Sequence, residues 1–255
     1  MESTTWIDLS STITVVVAKT GTEYIVHKHV ACEKSPFFTA CLKEHTKEAR
    51  EQKIEIQEWD DDDSMRTLIV WMYQGRSVLR ISSSLLKYPT TTKGDERADA
   101  LQMRLTKLYL LADRLLIQEL RNNIVDCFGA IYQSHELDAM AVSVLFDNGP
   151  SDCLLRSYLL LLITLDMKMI IDGPQELSAT QLQSQTELAK LPVVAHAVLQ
   201  KLLVGVAETP YLCDYHEHGA DGEAEKCKGT SDWVNLEDDN ATGNEATDEK
   251  SDTSA

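Results

Sequence analysis

The chain has 255 residues, 43% of them hydrophobic, with 41 Asp and Glu against 24 Lys and Arg and a formal charge of −17 at pH 7. That hydrophobic fraction suffices for one or two packed domains and excludes a chain unfolded throughout. The acidic excess repels phosphate backbones, so nucleic-acid binding through clustered Lys and Arg is excluded as the main activity.

Residues 1–10 form a short lead without the basic start and apolar stretch of a secretory signal. Six cysteines (32, 41, 127, 153, 213 and 227) in such a chain read as reduced thiols rather than a disulfide framework. The expected location is the cytoplasm or nucleus.

In chain order, Ile13 to Ala18 and Tyr24 to His27 are β-branched and aromatic runs around Gly21, which predicts a β-hairpin. Ser35-Pro36 has the chemistry of a helix cap and first helical residue, and Phe38 and Leu42 follow at helical spacing. Lys53-Ile-Glu-Ile56 alternates as a half-buried strand does. The acids Asp60 to Asp63 and Ser64 precede an apolar helix that Gly75 stops; they lack the alternating spacing of a calcium loop and read as helix-start chemistry. Residues 76–97 read as a loop.

Leu101, Leu105, Leu108, Leu111 and Leu115, then Leu120, Ile124 and Phe128, predict two amphipathic helices. Further helices are expected near 137–147, 153–171 and 185–207, the last restarting at Pro192. The run from Tyr158 to Leu165 is apolar but far short of the roughly 20 residues of a membrane crossing. Residues 208–255 hold 14 acids and 3 bases, a net of −11, and residues 229–255 offer almost nothing apolar to offset their ordering entropy. That segment is expected to be a disordered acidic tail.

Val15-Val-Val17, Tyr24-Ile-Val-His27-Lys28, Ser35-Pro-Phe-Phe38, Ile54-Glu-Ile56, Leu68 to Gly75 and Leu108 to Leu115 occur in the order and at the spacing of one family. Over about residues 11–133 the chain resembles the BTB/POZ domain, of the fungal single-domain type. The resemblance implies an α+β fold, a short three-stranded sheet with surrounding helices over 11–134, and a helical extension over 135–210. It also implies a protein-interaction adaptor or scaffold that docks onto a cullin-type ubiquitin ligase, with an interaction module of transcriptional regulation as the alternative. Ser11-Thr12 replaces an aspartate frequent in the family, so its charged surface pocket is not expected here, and residues 1–10 leave no room for the swapped helix and strand of long-form members, so only weak homodimerisation is expected. Phe37, Phe38, Trp71, Tyr73 and Leu111 read as core, and His27 as a structural residue at a strand end.

Walker, Gly-x-Ser-x-Gly, His-Glu-x-x-His and Gly-x-Gly-x-x-Gly motifs do not occur, so no enzymatic activity is expected; an uncharacterised enzyme with dispersed catalytic residues is the third reading. The remaining chemistry lies in residues 211–228, where Cys213, His216, His218 and Cys227 carry two thiols and two imidazoles. Their spacing allows one structural zinc but matches no common zinc finger. With Asp214 and Glu217 beside them, they read equally as a solvated helix end without a cofactor. Cys32, Cys41, Cys127 and Cys153 read as buried small hydrophobes.

Overall fold

The structure is a computed structural model that describes residues 10–79, 81, 92–173, 179–205, 212–218 and 227. Strand β1 (Thr12–Val17) is the centre of a three-stranded mixed sheet. Strand β2 (Glu23–His27) pairs with it antiparallel, with Ile13 opposite Val26, across a turn in which Gly21 takes φ +72°. Strand β3 (Lys53–Ile56) pairs on the other side, parallel, with Val15 opposite Ile54 and Val17 opposite Ile56. A parallel partner needs a crossover, which α1 (Lys28–Lys34), α2 (Pro36–Cys41) and α3 (Lys47–Glu51) supply. Of these, α1 and α3 are too short and polar to have shown an apolar period.

Helix α4 (Asp62–Gln74) begins at the acidic run, and every acid there has a partner. Asp60 faces Lys19 at 3.8 Å, Asp61 accepts from Ser64, Asp63 faces Arg66 at 3.3 Å, and Asp62 accepts from Thr20 and Thr22 at 2.9 and 2.8 Å. The hairpin turn is thereby tied to a helix start, where negative charge is favoured. A short 3-10 turn (Gly75–Leu79) follows, and α5 (Thr92–Arg114) begins inside the stretch expected to be loop. Leu116, at φ +56°, breaks the chain before α6 (Gln118–Tyr132).

The extension consists of α7 (Ala139–Asn148), α8 (Leu154–Asp172), α9 (Ala179–Ala189) and α10 (Pro192–Val204). Its Leu145, Leu155, Leu159, Leu188 and Val194 belong to the same continuous core as Ile13, Val17, Trp71, Leu111 and Phe128. The extension is therefore packed onto the domain and not hung from it. None of the described helices is long and apolar enough to cross a membrane.

Three packing expectations need correction. Phe37 is only half-buried, packed against the core rather than within it. Tyr73 is 47% exposed; its hydroxyl binds the backbone N–H of His27 at 3.0 Å and His27 Nδ1 at 2.8 Å, so it fixes a strand end at the surface and leaves the core to Trp71. Cys32 and Cys41 are only half-buried, because α1 and α2 are short and lie at the edge of the core, whereas Cys127 and Cys153 are buried as expected. The expected disordered tail, 229–255, lies outside the described residues.

Candidate metal centre

A single 3-10 turn (Leu212–Tyr215) carries Cys213 and is closed by the His216 N–H donating to the Cys213 carbonyl at 3.1 Å. It turns the Cys213 and His218 side chains toward each other, with Sγ 3.2 Å from Nε2. Cys227 joins from farther along the chain: ligand atoms of Cys213, His218 and Cys227 all lie within 4.8 Å of one another. His216 meets this group from one side, its Nδ1 being 3.0 Å from Cys227 Sγ. Ligands held 2.0–2.3 Å from a shared centre in tetrahedral geometry stand roughly 3.5 Å apart, so the two sulfurs and one nitrogen of Cys213, Cys227 and His218 suit one ion; His216 lies outside this mutually close set and touches it only at Cys227.

His216 also has its other nitrogen engaged. Nε2 lies 2.9 Å from Asp126 Oδ1 on α6, and both side chains are only 3% exposed. The second oxygen of Asp126 faces Arg76 at 3.6 Å. The contact is an ion-pair approach rather than an aligned hydrogen bond; a carboxylate beside Nε2 favours the proton on that nitrogen and leaves the Nδ1 lone pair for a ligand.

The segment is anchored beyond its histidines. Gln118 and Asn122 donate side-chain N–H groups to the Glu217 carbonyl at 2.7 and 2.8 Å, and the Glu217 N–H donates to Asn122 Oδ1 at 2.9 Å. Arg121 bridges the Glu217 carboxylate to Asp113 of α5. The Tyr215 ring packs on Tyr158 of α8 at 5.1 Å between centroids. Burial raises the Glu217 carboxyl, against the lowering effect of Arg121, and burial together with the adjacent Cys213 pushes the Cys227 thiol up to about 12 in the absence of a cation. Glu217 is thus an anchor, which corrects its reading as part of a solvated helix end; Asp214 alone is exposed.

Residues 7–128 match the family model of the BTB/POZ domain. The chain carries a BTB/POZ domain. No curated protein matches it. BTB/POZ domains are protein–protein interaction modules that engage partner proteins and second copies of themselves. In this one α6, close to the end of the matched residues, is the wall on which the Cys/His segment sits. Gln118, Asn122 and Asp126 are spaced i, i+4, i+8 and form one polar stripe on that helix. Sequence reasoning missed them as site residues, although Asp126 within Ile124-Val-Asp-Cys-Phe128 was a visible signal: a carboxylate in an apolar helical run needs a buried partner.

Proposed function

We propose that this protein is a non-enzymatic adaptor whose BTB/POZ domain docks onto a cullin-type ubiquitin-ligase scaffold. The reading is carried by the match of residues 7–128 to an interaction module. A core shared between that domain and α7 to α10 gives it further support, since a packed extension offers a second surface at fixed geometry to the first. A second reading, an interaction module in transcriptional regulation, draws on the 14 acids against 3 bases in residues 208–255, which suit a basic partner. Both place the protein in the cytoplasm or nucleus, working through protein partners and weak self-association, without nucleic acid or membrane as a ligand. Affinity purification of the full chain followed by mass spectrometry separates them. Recovery of a cullin supports the adaptor, and recovery of chromatin factors without any cullin overturns it in favour of the second reading.

A further inference from the structure

We propose that Cys213, His216, His218 and Cys227 bind one zinc ion in a closed structural site, and that this ion pins the Cys/His segment to helix α6 of the BTB/POZ domain. Three observations meet here. The ligand atoms of Cys213, His218 and Cys227 lie within 4.8 Å of one another, and His216 Nδ1 reaches Cys227 Sγ at 3.0 Å. Two thiolates and two imidazoles form a soft, borderline donor set that selects zinc over calcium or magnesium. Finally, Asp126 holds His216 Nε2 at 2.9 Å in a place where both are almost wholly buried, the outer partner that metal-bound histidines commonly have.

The domain supplies one wall of this site. Gln118, Arg121 and Asn122 hold both the backbone and the side chain of Glu217, the residue between the two histidines. His216 and His218 flank that anchored residue, and Cys227 is supplied from farther along the chain. Four protein ligands fill a tetrahedral zinc shell and leave no open position for water, so the ion is structural. On binding, each thiol gives up its proton, and the two negative charges of the thiolates balance the ion.

The test uses the full chain purified under reducing conditions. Elemental analysis should find one zinc per chain, and X-ray absorption at the zinc edge should count two sulfurs near 2.3 Å and two nitrogens near 2.0–2.1 Å. Replacing the zinc with Co2+ should give the absorption spectrum of a tetrahedral thiolate complex, which needs no variant to fold. Cys213→Ser and Cys227→Ser should each lose the ion. Asp126→Asn should keep the ligands but weaken zinc affinity by about 10- to 100-fold in competition with a chromophoric chelator. Protein that stays metal-free after equilibration with Zn2+ overturns the proposal. So does a shell containing an oxygen in place of the second nitrogen, or metal retained in both serine variants.

Discussion

His216 Nε2 stands 2.9 Å from Asp126 Oδ1, and neither side chain is more than 3% exposed. The two residues are 90 positions apart, so a turn near the end of the described chain closes onto a helix of the BTB/POZ domain through a buried polar contact. Burying such groups is tolerated only when they are paired. The contact therefore defines one orientation of the segment on the domain.

Arg121 is the second tie, since its guanidinium joins Glu217 to Asp113. Arg121→Ala leaves two partly buried carboxylates without their cation. The expected cost is about 1–3 kcal/mol of unfolding free energy, of the size measured for hydrogen bonds to charged groups. Urea denaturation of the variant and its parent provides the measurement; a loss below about 0.5 kcal/mol would show that the segment contributes little to folding.

Ser35 joins two parts of the domain. It caps α2 by accepting from the Phe38 N–H at 3.3 Å, and its own hydroxyl donates to the Leu115 carbonyl, beyond the end of α5, at 2.6 Å. Ser35→Ala removes both bonds at a fully buried position and should lower stability by about 1–3 kcal/mol, read as a shift in the denaturation midpoint.

Asp166 on α8 meets the Tyr132 hydroxyl of α6 and accepts from Gln185 of α9 at 2.9 Å, which links the extension to the domain. Burial raises its carboxyl above the ordinary value, outweighing the lowering effect of those two hydrogen bonds. The folded protein then keeps this proton where the unfolded chain has released it. The group's contribution to stability is thus fully present below about pH 3.9 and falls as pH rises through the raised value. Asp166→Asn should flatten that fall and equal or exceed the parent in stability near neutral pH. The Gln185 side-chain carbonyl oxygen, which has no hydrogen-bond partner among the described residues, can turn to accept from the new amide. A variant more than about 1 kcal/mol weaker than the parent at neutral pH would show that the ionised carboxylate is net stabilising.

Removal of residues 229–255 should leave the melting temperature nearly unchanged, because so polar a sequence has little apolar area to bury. A drop of several degrees in a thermal melt would mean that Trp233, Val234 and Leu236 dock on the folded part.

Much of the fold was legible because its signals are local. The β-branched run from Ile13 to Val17 marks β1, and the leucines of α5 recur every three or four residues, so both elements follow from local pattern. Tyr73 misled because its ring satisfies the same apolar pattern as Trp71, and only the tertiary position of His27 decides that its hydroxyl stays at the surface. The four Cys and His residues of the candidate centre were visible from residue type and spacing. Their wall was not, because Gln118, Arg121, Asn122 and Asp126 act across about 90 residues of chain, and a polar stripe on an amphipathic helix ordinarily faces solvent.

Hydrogen exchange of the full chain, before and after zinc is stripped with a chelator under reducing conditions, tests most directly whether a metal pins this segment to the domain. Stripping should release protection at the amides of His216 and Glu217, which bond to Cys213 and Asn122, while β1, β3 and α5 keep theirs. Unchanged protection at residues 213–218 after complete removal of the metal would contradict the account, since the segment would then be held without it.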